Sequence, residues 1–134
     1  MPKRTYVDSN LLLAAWLGKD AIWLRAMEIL DDPDRELIVS DAVWLEVIPK
    51  PCYHNNQEEI DFYTEVFAHA DYIKWNIETL YHAHKLARLH GIAAMDAVHL
   101  ATAIDALAEE FITAEKSTKP MFRVQGINVQ SIRV

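Results

Sequence analysis

Cysteine is nearly absent from this sequence, and long apolar runs, repeats and low-complexity tracts are missing altogether. The lone Cys52 has no partner for an internal disulfide, which is the expectation for a reducing cytoplasm. Zinc is left with Cys52 and His54, and two such ligands without a second pair do not make a site. No apolar stretch nears the ~20 residues that span a bilayer. The opening MPKRTYVDSN reaches Asp8 before the apolar core of a secretion signal could form. Membrane and secreted classes are therefore set aside. Positive charge is scarce as well: 13 Lys and Arg stand against 20 Asp and Glu, for a net charge of −7. Nucleic-acid binders usually carry a basic surface, so this balance speaks against them. The objection weakens if several acids gather at one metal site, because bound divalent cations invert the local charge.

What is present suits one folded domain over residues 1–134: the chain has 134 residues, 51% hydrophobic and 25% charged. RTYV (4–7) is a β-prone run ending at Asp8. LLLAAWLG (11–18) and AIWLRAMEIL (21–30) read as helical segments broken around Gly18, and DDPDRE (31–36) as a turn. ELIVS (36–40) is a second strand; DAVWLEVI (41–48) is a short helix capped by Ser40 or Asp41 and stopped by Pro49 and Pro51. QEEIDFYTEVFAHA (57–70) is an amphipathic helix and DYIKW (71–75) alternates as a strand does. Asn76 caps and Gly91 ends the next helix, and EFITAE (110–115) and INVQSIRV (127–134) supply the last strands. Strands alternating with helices predict an α/β domain with a largely parallel sheet.

The segment GIAAMDAVHLATAI (91–104) is almost wholly apolar, yet Asp96 sits inside it. A buried carboxylate needs a pair or a metal. Three other acids share its setting: Asp8 ends the first strand, Glu46 lies in the helix after the second, and Glu115 follows the strand FIT. Open α/β sheets collect ligands outside the carboxyl ends of their strands, so the four acids fall where a site is expected. The alternative for Asp96 is a carboxylate favoured by a helix N-terminus alone, worth ~0.3–1 kcal/mol.

In order and context, these acids resemble the motifs of the PIN domain family. TYVDSNLLLAA is similar to its opening, SDAVWLEVI to its strand followed by a Glu-bearing helix, MDAVHLATAI to its Asp in an apolar helix, and FITAEK to its last strand followed by Thr and an acid. The resemblance runs from Tyr6 to about Lys116 and is nearest to VapC-like toxins of toxin–antitoxin pairs. It implies a three-layer fold with a central, mostly parallel sheet between helices. It also implies a ribonuclease in which Asp8, Glu46, Asp96 and Glu115 hold Mg²⁺ or Mn²⁺, with the first three as the catalytic set. The family's fourth acid is usually Asp, and here it is Glu.

Hard divalent cations take oxygen ligands, so the acids suit the metal that the resemblance implies, and hydrolysis there needs no side-chain nucleophile. Ser9 and Asn10 are placed to hydrogen-bond Asp8 or a water at the metal, or simply to start the helix. Thr113 either orients the site or favours its strand. His99 lies on the same helical face as Asp96 and reads as a hydrogen-bonded packing residue, since Mg²⁺ seldom takes imidazole. Lys50, Lys116 and Lys119 are the RNA-contact candidates, against the plain reading of solvated lysines. Further implied partners are an antitoxin protein and a second copy of the chain in a homodimer. Two rival functions stay open: a nuclease of this fold acting on other nucleic acids, and a degenerate binding module.

Overall fold

The computed structural model describes residues 1–133; the last residue of the expected strand 127–134, Val134, lies outside them. Strand β1 (Lys3–Val7) leads into helices α1 (Ser9–Leu17) and α2 (Asp20–Leu30). Strand β2 (Arg35–Ser40) is followed by α3 (Asp41–Val47), α4 (Pro49–Tyr53) and α5 (Gln57–Ala68). Then come β3 (Asp71–Ile73), α6 (Ile77–His90), α7 (Ala94–Asp105), β4 (Glu110–Thr113), a 3₁₀ turn at Pro120–Arg123 and β5 (Asn128–Ser131). The sheet order is β3-β2-β1-β4-β5, and every pairing is parallel. The result is a three-layer α/β fold, with the sheet between helices.

The sequence explains why these strands sit in the middle. In the three central strands the runs TYV, LIVS and EFIT are buried throughout, as expected where helices cover both faces of a parallel sheet. The edge strands β3 and β5 are only partly buried. Tyr6, Phe111 and Ile38 meet helix residues Leu11, Leu12 and Leu100 in one continuous core.

Local chemistry fixes most helix ends. Asn76 accepts from the N–H groups of Glu78 and Thr79, and Gly91 closes α6 in the left-handed conformation at φ 66°. At Gly18 the reason for glycine is space: an added Cβ would lie 2.0 Å from the Ala14 carbonyl oxygen, where the chain turns from α1 to α2. The expected stop at Pro49 and Pro51 is corrected. Pro49 opens α4 directly after α3, because proline lacks only an N–H that the first turn of a helix does not use. The expected strand 71–75 is shorter, ending at Ile73. No helix among the described residues is long and apolar enough to cross a membrane.

Register and order together define one crevice. The chain adds β2 and β3 on one side of β1, then crosses to add β4 and β5 on the other. The order therefore reverses between β1 and β4, and ligands bind outside the carboxyl ends at such a switch point. Val7 pairs with Ile112 and Tyr6 with Ile38. Continuing that register brings Asp8 level with Thr113 on one side and Ser40 on the other.

Candidate active site at the carboxyl edge of the sheet

Asp8 occupies the centre of this edge and is 1% exposed. Its Oδ1 accepts from the Leu11 N–H at 3.1 Å, capping α1, and its Oδ2 accepts from the Thr113 hydroxyl at 2.7 Å. No cation pairs with it among the described residues. Burial pushes its carboxyl up to about 6, against the lowering effect of His99, Thr113 and the Leu11 N–H, and Asp96 adds a further rise. Asp8 therefore carries a poorly compensated charge near neutral pH.

Asp96 stands in the first turn of α7, half-buried. Burial raises its carboxyl, and the nearby Glu115 raises it again. Among the described residues it makes no side-chain hydrogen bond, unlike the other three acids. Its neighbours along the helix, Val98, Ala101 and Thr102, are buried, so the backbone beneath it is held firmly.

Glu46 projects from α3 and accepts from Ser9 Oγ at 2.7 Å and from His99 Nε2 at 2.5 Å. Burial would raise its carboxyl, but the bonds from His99 and Ser9 prevail and hold it below the usual glutamate value. His99 is fixed from behind as well: its Nδ1 lies 2.8 Å from the Tyr6 hydroxyl, which lies 2.7 Å from Ser40 Oγ. One arrangement satisfies every group when His99 is neutral. Ser40 donates to Tyr6, Tyr6 donates to Nδ1, and Nε2–H donates to Glu46. Both ring nitrogens are thereby engaged within the protein.

Glu115, just beyond β4, accepts from Asn10 Nδ2 at 2.5 Å and sits 3.7 Å from Lys119 Nζ. Its own N–H reaches Thr113 Oγ1 at 3.1 Å. Asp8, Glu46, Asp96 and Glu115 thus face one region and act on one another electrostatically. Among the described residues, however, no three His, Cys, Asp or Glu side chains close on a common point as they stand.

Of the expected supporting residues, Thr113 bonds Asp8, while Ser9 and Asn10 find other acids. Ser9 serves Glu46 and Asn10 serves Glu115; neither serves Asp8. Consecutive residues on a helix point about 100° apart, so Ser9 faces α3 while Asn10 faces the β4 end. Tyr6 and Ser40 belong to the site but carry no charge, and only the hydroxyls within the strand runs TYV and LIVS could have signalled them. Lys116 and Lys119 lie beside Glu115 in a groove of about 740 Å³. Lys50 is exposed on α4 and makes no ion pair with the four acids among the described residues.

Comparison with known proteins agrees with the topology. The family model for the PIN domain matches residues 5–119. No curated protein sequence matches the chain. Among solved structures, a toxin–antitoxin complex from Klebsiella pneumoniae aligns at a TM-score of 0.74 and 20% identity, covering 96% of this chain and 97% of that one. VapBC2 from Rickettsia felis, bound to a DNA fragment from its promoter, gives 0.68 and 14% over 96% and 98%. DNA-bound VapBC from Salmonella typhimurium gives 0.66 and 12% over 98% and 99%. At these identities the likeness is one of fold.

Proposed function

The chain belongs to the PIN domain family, and from that premise we propose that it is a divalent-metal-dependent endoribonuclease, the toxin of a toxin–antitoxin pair, acting as one domain over residues 1–134. The observation that carries this reading is Asp8. It is an aspartate 1% exposed, raised to about 6 by burial and without an ion-pair partner among the described residues, set at the switch point of a parallel sheet beside Asp96. A fold does not keep such a charge for stability.

The donor chemistry fits Mg²⁺ or Mn²⁺. Available donors are carboxylate oxygens, which are hard ligands suited to such ions, and His99 has no nitrogen to spare. Asp8, Asp96 and Glu46 would hold the metal, and Glu115 would hold it directly or through water. When bound, the metal supplies charge neutralisation for the phosphodiester and for the attacking and leaving oxygens.

The remaining work falls to the protein's own groups. Thr113 and the Leu11 N–H hold both oxygens of Asp8. His99 and Ser9 share one oxygen of Glu46, Oε1, leaving Oε2 open. Asn10 sets the direction of Glu115. Fixed donors aimed before substrate arrives avoid reorganisation during the reaction. Substrate phosphate can enter because neutralising the acids removes the repulsion that this edge otherwise presents.

An antitoxin and a second copy of the chain are the proposed partners. The fold is that of proteins solved as toxin–antitoxin complexes. Leu17, Trp23, Leu24, Trp44 and Leu45 are exposed apolar side chains on α1, α2 and α3 that a partner would cover. The deciding experiment is digestion of total RNA by purified protein with Mn²⁺, Mg²⁺ or EDTA, followed by mapping of the ends. Metal-dependent cuts inside RNA chains support the proposal, and intact RNA under every metal condition overturns it.

A further inference from the structure

The chain is acidic, but its cations are not spread evenly. Beginning at Asn10 and Glu115, the groove of about 740 Å³ passes between α1 and the segment 114–119 and continues over the start of α2. Lys19, Lys116, Lys119 and Arg133 line it, and Arg25 joins them where a neighbouring cleft shares Ile22, Lys116, Thr118 and Arg133. Glu115 is the one acid among the lining residues, in a protein of net charge −7. Lys119 is spoken for by Glu115 at 3.7 Å, and Arg25 and Arg133 each donate to a backbone carbonyl, Ile132 and Ala114 respectively. Lys19 and Lys116 are exposed and make no ion pair among the described residues.

We infer that this groove is the track for the phosphodiester backbone of a single RNA strand on one side of the cut, with Lys19, Lys116 and Arg25 as phosphate contacts. The inference rests on the nuclease reading of the adjoining acids. A strand cut at Asp8 and Asp96 has to leave over the surface next to them, and this is a surface that opens directly from Glu115 with the charge that phosphates need. Its floor is aliphatic, formed by Leu13, Ala14, Leu17 and Ile22, with no aromatic side chain on which a base could stack. Contacts of this kind fix the strand's position and carry no sequence information. The groove therefore raises affinity for RNA of any sequence, and preference for a particular sequence comes from elsewhere.

The test uses a fluorescein-labelled, mixed-sequence single-stranded RNA of about twenty nucleotides, chosen to outrun one site of roughly 4–16 nucleotides, bound in EDTA across a salt series. Lys19→Gln and Lys116→Gln are each expected to weaken binding about threefold to tenfold and to reduce the magnitude of the salt slope by about 0.7. The exposed Lys85→Gln on α6 is the control. In Mn²⁺ the two groove variants should raise KM for RNA cleavage and leave kcat unchanged. Affinities and slopes matching Lys85→Gln overturn the inference. So does a glutamate-rich peptide that binds the native protein and fails on both variants while RNA affinity holds, which would give the groove to a protein partner. If the variants lose RNA affinity but the native protein cuts no RNA with any metal, the groove stands and the nuclease reading falls.

Discussion

Glu110 and Asp8 sit at opposite ends of the central strands, both almost fully buried at 2% and 1% exposure, in opposite electrostatic settings. At the amino end Glu110 accepts from Arg35 Nε at 2.8 Å and from the Thr5 hydroxyl at 2.6 Å, with Lys3 at 3.8 Å. Burial works against its charge, but Arg35 and Thr5 outweigh burial and hold it below the usual value. Around it Arg4 joins Glu36, Asp71 and the Ala106 carbonyl, so this end is sewn together by matched charges. Asp8 has hydrogen bonds and, among the described residues, no ion pair, and its carboxyl goes up rather than down. The same fold can neutralise a buried acid, and does so at the amino end. At the carboxyl end it withholds the cation, leaving a demand for positive charge that a metal can meet.

Exchanging carboxylate for amide at the two ends should separate function from stability. Asp8→Asn and Asp96→Asn are each expected to lower RNA cleavage at least about a thousandfold, roughly 4 kcal/mol in the barrier, while Glu110→Gln retains the native rate. Single-turnover cleavage in Mn²⁺ measures this, and equal loss in all three variants would erase the contrast. On stability the order reverses. Glu110→Gln leaves Arg35 with Asp32 as its one ion-pair partner among the described residues, and urea unfolding should show a loss of roughly 1–3 kcal/mol.

Divalent metal should stabilise the native protein by ~2.7 kcal/mol at a free concentration 100 times Kd, and leave Asp8→Asn unmoved. Identical melting curves in EDTA and in Mn²⁺ would remove the metal from the carboxyl end.

Acid titration of the metal-free protein gives the two ends opposite signs. The folded value of Asp8, about 6, lies above an unfolded value of about 3.9. Its contribution is therefore favourable below about pH 4 and is lost as pH rises to about 6, an effect of roughly 2–3 kcal/mol at most. Glu110 is lowered, so its contribution is present above about pH 4.3, the unfolded value, and is lost as pH falls below it. In EDTA at pH 7.5, Asp8→Asn should unfold at higher urea than the native chain, and that advantage should vanish at pH 4. A variant no more stable at pH 7.5 would mean that Asp8 is compensated after all.

The smallest effect is expected at Glu115, which Asn10 and Lys119 already hold. Glu115→Asp should remain active and Glu115→Gln should fall about tenfold to a hundredfold. An unchanged dependence on Mn²⁺ in Glu115→Gln would place this acid outside the site.

Much of this contrast was visible in the sequence at the level of elements. Strand ends carry the acids, and alternating periods, Asn76 and Gly91 mark the helices by local chemistry that needs no knowledge of distant residues. The match of Arg35 with Glu110 and the attachment of Ser9 to Glu46 were not visible, because each joins segments that only the sheet order brings together. The restart of helix at Pro49 was hidden for a different reason: proline is equally at home after one helix and at the first turn of another. Arg25, Lys19 and Arg133 had no local mark either, since a groove between α1, α2 and the chain end exists only in the fold.

Tyr6 stacks on Phe111 with ring centroids 5.2 Å apart, is wholly buried, and yet hands its hydroxyl to His99 and thence to Glu46. Ser40, at its other side, also accepts from the Val43 N–H and so caps the helix that bears Glu46. A drift to phenylalanine would keep the volume and satisfy every packing constraint, so screens for folded protein would pass it unnoticed. It would still detach the His99 ring from Ser40 at the start of α3, leaving the bond to Glu46 as the ring's remaining tie, with no change at the protein surface.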